Sequence, residues 1–331
     1  MSRRIDVIAT TISGSVRDWG KTREIAPLFQ KHGEYGVAVH AVDTHRDARS
    51  KACELVRSGC RILISAGGSG TFNSVVEGCY DSGIEPAAVT LGFLRKGSAD
   101  LIGKVLGMPD EIEEAVKVFV DSIRADKVVP CDVLLGSSEE GDVPARHFVG
   151  YGGAEVFGEI PHYTENRFIK YYKGYLGQLF GDLGPFFIGT NLAILGRFFT
   201  RRGRGRYGWE ISVDDQVVAQ GRYQAMILVN GDLGPDLPFA KDVPLGSGNF
   251  YLFTIADKGS IHLYRQLKHA WDSTILEDPK RWGFESYRIM HHLVLRPKTS
   301  DPFPVNMDGS ALMCRKSARI EIFGRIRLLS R

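Results

Sequence analysis

The residues best placed to do chemistry are Ile64-Ser65-Ala66-Gly67-Gly68-Ser69-Gly70-Thr71-Phe72-Asn73. An apolar run ends there, three glycines turn the chain, and a helical pattern begins. Glycines let a backbone approach a ligand closely, and a helix start offers unpaired N–H groups and the positive end of a dipole. Together they suit an anion, phosphate above all, although a tight turn with no ligand uses the same residues. A second run places Phe198 and Phe199 beside Arg197, Arg201, Arg202, Arg204 and Arg206. Arginines are drawn to an anionic membrane surface and phenylalanines insert shallowly. A solvated hairpin tip or an RNA-contacting loop has the same composition. Just upstream, Tyr171 to Phe199 mixes aromatics, leucines and glycines, which suits either an apolar ligand pocket or ordinary core.

Other reactive residue types give less. The five cysteines (Cys53, Cys60, Cys79, Cys131 and Cys314) form no CxxC pair. They read as buried free thiols in a reducing compartment rather than as a zinc or redox site. His291 and His292 are adjacent, so on a strand they face opposite sides and make no common metal site. His40, His147 and His162 have no partner at ligand spacing. Trp271 and Trp282 flank a loop and read as packing residues.

The elements that must position the glycine-rich turn are legible around it. Ile5–Thr10 is a short strand, a helix follows over about residues 21–32, and Val37–Val42 is a second strand. Thr44 is placed to cap a helix running to Ser58, its hydroxyl accepting a first-turn N–H. The turn itself leads into a helix over Phe72–Gly78, and a strand over Pro86–Leu91 and an amphipathic helix over Asp110–Ala125 come next. Alternating strands and helices predict a parallel sheet with helices on both faces. After Val128 the runs HFVGYGG, YGWEISVDD, YQAMILVNG, NFYLFTIAD and MHHLVLRP alternate with Gly, Pro and Asp turns, the pattern of an antiparallel β domain. Residues 167–180 and Ile261–Trp271 read as helices there, and ARIEIFGRIRLL as a closing strand. The expected fold is therefore a doubly wound α/β domain over residues 1–127 followed by an antiparallel β-rich domain over 128–317.

The bulk numbers exclude several classes. The chain has 331 residues, 43% hydrophobic and 24% charged, with 42 basic against 39 acidic side chains. That is too apolar for a disordered chain, and a net charge of +3 is too small to argue for a nucleic-acid partner, so none is expected. The apolar run after Arg3 and Arg4 is short and broken by Asp6, unlike a signal peptide. No stretch reaches the roughly 20 apolar residues of a spanning helix. A cytoplasmic protein is expected, peripheral at the inner membrane face if the arginine-rich run binds lipid.

GGSGTFNSVVEG resembles the GGDGTxNEVxxG loop of the diacylglycerol kinase catalytic family, which includes bacterial lipid, sphingosine and ceramide kinases and shares its nucleotide-binding fold with NAD kinases. Further segments resemble the family in order. Ser13-Gly14 stands where it has NPxSG, and Thr44, Ala48 and Ala52 sit on the preceding helix in its spacing. Gly97-Ser98-Ala99-Asp100 through Pro109 is similar to GTGNDFARxLGIP, and Phe148 with Gly150-Tyr151-Gly152 to the central FxxxxGxG strand. Val229-Asn230-Gly231 is similar to VxNG, and Asn306-Met307-Asp308-Gly309-Ser310 to the DGE motif. The resemblance implies transfer of the γ-phosphoryl group of ATP, with Mg²⁺, to a lipid hydroxyl of diacylglycerol or sphingoid type. It implies a nucleotide-binding first domain, rejoined by the C-terminal strand at 318–331, and a lipid or substrate second domain, with a cleft between the two. It implies that Ser13, Gly14, Thr44, Gly67, Gly68, Ser69, Gly70, Thr71, Asn73, Gly97 and Ser98 hold nucleotide and that Asp308 orients or deprotonates the acceptor.

The acidic positions depart from that pattern. Ser69, Ser74, Leu101 and Ser310 stand where the family has Asp, Glu, Asp and Glu, and Ser247-Gly248 where it has Asp-Gly. Magnesium prefers carboxylate oxygens. Glu77, one helical face from Ser74, and Asp100 are candidate acidic substitutes, while Arg95 and Lys96 are cations beside the second turn. The metal ligands stay unassigned and slow turnover is expected. Two alternatives remain open: a non-catalytic nucleotide- or lipid-binding paralogue, and an NAD kinase-like enzyme on a soluble substrate.

Overall fold

The structure is a computed structural model that describes residues 4–10, 22–95, 101–140, 143–164, 191–193, 207–235, 237–272 and 274–331. Two compact units result: residues 1–132 with 324–331, and residues 133–323.

In the first unit, β1 (Ile5–Thr10) pairs in parallel with β2 (Val37–Val42) on one side and β3 (Ile62–Gly67) on the other. β4 (Thr90–Arg95) continues the sheet beyond β3, and the end of the last strand lies parallel to β4 through Arg327 and Leu328. Every residue of β1 and β3 is buried, as strands covered on both faces require. The helices confirm two faces. On β4, a Cβ at Gly92 would meet Phe119, whereas the neighbouring Phe93 packs against Phe72, ring centroids 4.8 Å apart. Phe119 belongs to α5 (Ile112–Ala125), which packs with α1 (Ile25–Gly33) through Phe29 at 6.4 Å. Phe72 belongs to α3 (Ser69–Asp81), which packs with α2 (His45–Arg57); α4 is the single turn Leu101–Val105.

Two expectations shift. The helix expected over about residues 21–32 is Ile25–Gly33 among the described residues, which do not include Lys21. The strand expected at Pro86–Leu91 is displaced to Thr90–Arg95, and Pro86–Ala88 forms a 3₁₀ turn. Proline lacks a ladder N–H and its fixed φ suits the first helical position, so Pro86 opens a turn instead of a strand.

The second unit is antiparallel. β5 (Val128–Ser138) enters it and pairs with β6 (Arg146–Phe148). β7 (Tyr151–Glu155) leads into α6 (Val156–Thr164). β8 (Gly208–Val213) and β9 (Gln216–Val229) form a hairpin whose two-residue loop has Asp214 at φ 48° and Asp215 at φ 68°, the conformation that matches strand twist. The far half of β9 pairs with β7 and with β10 (Phe250–Ala256). After α7 (Ser260–Trp271) and α8 (Pro279–Trp282), β11 (Phe284–Ile289) pairs with β10. β12 (His292–Pro297) lies between β8 and the start of β15 (Ala318–Leu329). β13 (Phe303–Met307) and β14 (Ser310–Cys314) extend the sheet from β7. The core centres on Trp209, which packs edge-to-face on Phe303 at 5.0 Å; its indole N–H donates to buried Glu155 at 2.6 Å. Residues 167–180, expected to be helical, lie outside the described residues.

Candidate phosphate-binding site

The strand order of the first unit locates a site before any motif is invoked. From β1 the chain goes outward to β2 on one side and then crosses to β3 on the other. At such a switch point the connections leave in opposite directions, and a crevice opens at the carboxyl ends of β1 and β3. Those ends are Thr10 and Gly67.

The groups there are tightly matched. Gly68 is the N-cap of α3 in an extended conformation and offers no side chain to the first-turn N–H groups. Its carbonyl accepts from Thr71 N at 3.0 Å and Phe72 N at 3.1 Å, which closes the first turn. The buried hydroxyls of Thr10 and Thr71 lie 2.9 Å apart. A Cβ at Gly67 would stand 2.6 Å from Thr71 Oγ1 and 2.9 Å from Thr10 Oγ1, so glycine is required there by space. Thr10 is a residue that sequence reasoning missed; a polar residue closing the strand after Val7-Ile8-Ala9 was its only signal.

The remaining assigned residues divide. Asn73 is buried in α3. Ser74 donates to the Gly70 carbonyl at 2.9 Å, a back-bond within the helix. Thr44 caps α2: its Oγ1 accepts from Asp47 N at 3.0 Å and donates to Asp47 Oδ2 at 2.7 Å. Glu77 is buried and accepts from Arg49 at 2.9 Å, and Arg49 also grips Asp81. These bonds hold the Arg49 charge, raised above its ordinary pKa by the Asp81 hydrogen bond and the Glu77 charge against the opposing effect of burial. Glu77 is thus turned toward α2. Ser13, Gly14, Lys96, Gly97, Ser98, Asp100, Phe198, Phe199, Arg201, Arg202, Arg204 and Arg206 lie outside the described residues, as does the side chain of Arg95.

In the second unit three of the resembling segments meet at one knot. Asp308 and Gly309 form the β13–β14 turn, with φ 48° and 87°. The Asp308 carboxylate, 3% exposed, accepts from Val149 N at 2.9 Å, from Gly150 N at 3.2 Å and from Tyr151 N at 2.8 Å. Asp308 N returns a bond to Tyr151 O at 2.8 Å. Asn230 holds the same turn, donating to Val149 O at 2.9 Å through its amide and to Gly150 O at 2.9 Å through its backbone. Asn306 ties Phe157 O to Gly309 N. Asp308 acts as a turn former and as the anchor of residues 149–151.

Among the described residues no group of three His, Cys, Asp or Glu side chains is placed to hold an ion. At the loop the side chains are hydroxyls, and Glu77 is engaged with Arg49. Phosphate suits the turn; the described residues do not supply the carboxylates Mg²⁺ prefers. The thiols stand apart from any site: Cys60, Cys79, Cys131 and Cys314 are buried and Cys53 partly so, and burial pushes Cys60 and Cys79 up to about 12. Among the described residues, no helix is long and apolar enough to cross a membrane.

Comparison with known proteins agrees with this geometry. A family model for the diacylglycerol kinase catalytic domain matches residues 4–133. A diacylglycerol kinase of Staphylococcus haemolyticus (strain JCSC1435) is 26% identical over 148 residues, 43% of this chain and 41% of that protein. The alignment therefore spans under half of that relative's length. A diacylglycerol kinase of Staphylococcus carnosus (strain TM300) is 23% identical over 334 residues, 93% of this chain and 89% of that protein. The crystal structure of a diacylglycerol kinase from Bacillus anthracis str. Sterne superposes with a TM-score of 0.65 at 17% identity, covering 99% of this chain and 97% of that one. A further crystal structure from the same strain gives a TM-score of 0.70 at 18% identity, over 99% and 98% of the two chains. The first unit is thus similar to the diacylglycerol kinase catalytic domain, and along its length the chain has the fold of those structures.

Proposed function

We propose that this protein is a lipid kinase-like phosphotransferase that takes the γ-phosphoryl group of ATP to a lipid hydroxyl of diacylglycerol or sphingoid type. The observation that carries it is the β3–turn–α3 junction, which aims first-turn N–H groups from a switch point of a parallel sheet. Gly67, Gly68, Gly70 and Thr71 would cradle the phosphates, and Thr10 would hold the Thr71 hydroxyl in place. Phosphoryl transfer asks a protein chiefly to position and to neutralise, and backbone donors at a helix start do both. ATP fits these residues as a phosphate ligand. The assignment of Gly97 and Ser98 as a second wall rests on the resemblance. That of Phe198, Phe199 and the four arginines as a peripheral membrane contact rests on the composition of the run, and a cytoplasmic location on the scattered cysteines.

On the acceptor side, Asp308 is assigned a positioning role. A carboxylate has about four lone-pair sites, and those of Asp308 are directed at three backbone N–H groups. Its effect on a reacting hydroxyl would pass through the turn it anchors. A second reading, a nucleotide-binding paralogue without turnover, is favoured by one observation: Ser74 is bonded back into its helix and Glu77 to Arg49, so neither stands in for a missing acid at the loop.

The test is transfer of label from γ-labelled ATP to a mixed-micelle panel of diacylglycerol, monoacylglycerol, sphingosine and ceramide. The kinase reading expects a labelled lipid that disappears in Gly68→Val. Nucleotide binding with no labelled product on any member of the panel would hand the lead to the second reading.

A further inference from the structure

The following inference rests on the nucleotide reading of the Gly67–Thr71 turn and deepens it. His45 opens α2 directly after the Thr44 cap. Its ring lies against the start of the neighbouring helix: a Cβ on Gly70 would stand 2.9 Å from His45 Cε1 and 3.2 Å from His45 Nε2. Gly70 is the second residue of α3, in its first turn. His45 is itself solvent-exposed. A ring nitrogen therefore stands at the rim of the proposed phosphate site, delivered from a second element.

The packing of the two helices fixes that placement. A Cβ on Gly78 would run into the Arg49 carbonyl and Ala52 Cβ, so α2 and α3 touch backbone to backbone there. His45 meets Gly70 near both N-termini, and Arg49 meets Gly78 further along both. The helices thus run in the same direction, and their positive ends share one end of the unit. Asp47 in the first turn of α2 opposes this, although its carboxylate accepts the Thr44 hydroxyl and its backbone N–H donates to Thr44 Oγ1. The turn itself carries Ser69 and no carboxylate, so a bound phosphate must be met largely by hydrogen-bond donors. An imidazole offers one N–H when neutral and two when charged.

We propose that His45 is a phosphate ligand of the nucleotide site, hydrogen-bonding the phosphate group seated on the Gly68–Thr71 turn, and that the missing Cβ of Gly70 is what admits the ring. Serine at position 69 and histidine at position 45 then belong to one arrangement, in which a donor from α2 supplies part of the neutralisation at the loop.

Calorimetric titration of the full chain with ADP, ATP and adenosine tests this, using parent, Gly68→Val, His45→Ala, His45→Gln, Gly70→Ala and the His45→Ala/Gly70→Ala pair. His45→Ala is expected to weaken ADP and ATP roughly tenfold, the effect of losing one hydrogen bond to a charged group, and to leave adenosine unchanged. His45→Gln keeps a donor and recovers part of the loss. Gly70→Ala pushes the ring aside, so it costs affinity in the parent and markedly less in the His45→Ala background. If Gly68→Val abolishes ADP binding while His45→Ala leaves it intact, this inference fails alone. An equal loss for adenosine and ADP in His45→Ala also overturns it, since the ring would then serve the nucleoside. Undiminished ADP binding in Gly68→Val, or no ADP binding by the parent, overturns the nucleotide reading and the inference with it.

Discussion

Asp308 shows how one residue type serves two chemistries. The Asn-Met-Asp-Gly-Ser run marks both a turn and a family motif, and spacing alone did not separate them. In the structure the side chain binds three consecutive N–H groups from another strand connection, a contact between positions more than 150 residues apart that no local pattern encodes. Replacing the carboxylate by an amide in Asp308→Asn sets an NH₂ against those N–H groups. A loss of about 2–3 kcal/mol in unfolding free energy is expected, since buried bonds to a charged acceptor are costly to leave unmade; urea denaturation measures it. Asp6 gives a pH-dependent counterpart. Burial pushes its carboxyl up, but hydrogen bonds from His40, at 2.8 Å, and Arg4, at 2.7 Å, outweigh that and hold it below its ordinary value. A depressed folded-state pKa stabilises at pH above the unfolded value near 3.9 and is lost as pH falls through the folded one. The melting temperature should therefore fall between about pH 5 and pH 2, and less steeply in Asp6→Asn, as followed by thermal circular dichroism. Asp214 contributes in the same direction: the three N–H groups it accepts outweigh its burial.

The elements of the first unit were largely legible, because their signals are local. The Thr44 cap, the apolar runs of β1 and β3 and the glycine turn each declare themselves within about ten residues. The displacement at Pro86 came from treating an apolar run as a strand while underweighting the missing proline N–H. Close helix approach was not legible, because a glycine in a helix looks only like a weak position. Gly78 is in fact where α3 meets the Arg49 carbonyl. Gly78→Ala must separate the two helices, since the opposing atom is backbone. A destabilisation of roughly 1–3 kcal/mol is expected, as for overpacked cores, and guanidinium unfolding checks it. Because α2 carries His45, the same variant should also weaken ADP binding, whereas Gly83→Ala, at a φ of 74° with open space around it, should affect stability through backbone strain alone.

Across the whole chain, the β15 strand serves both units. Ala318, Ile320 and Glu321 pair with β12 in the second unit, and Arg327 and Leu328 pair with β4 in the first. Ile326, Leu328 and Leu329 are buried. Ser122 Oγ donates to Ser330 O at 2.5 Å, and Arg325 pairs with Asp132 at 2.8 Å. Each buried aliphatic side chain is worth about 1.5–3 kcal/mol, and total stability is about 5–15 kcal/mol. Removing residues 324–331 should leave the first unit unfolded or readily cleaved, seen as rapid limited proteolysis within residues 22–125. Alternating hydrophobicity predicted that strand, but its division between two units depends on pairing partners far away in sequence. The arginine-rich run and the aromatic stretch before it were prominent in the sequence, and their roles rest on composition.

The central claim is that phosphate groups of a nucleotide sit on the turn between β3 and α3. Hydrogen–deuterium exchange of the full chain with and without ATP tests it most directly, because first-turn amides that bind phosphate become protected. The account predicts slowed exchange in peptides spanning residues 62–74 and in those ending β1 at Thr10, with α5 unchanged. Unaltered exchange across residues 62–74 at ATP concentrations that saturate binding, or protection confined to the second unit, would contradict it.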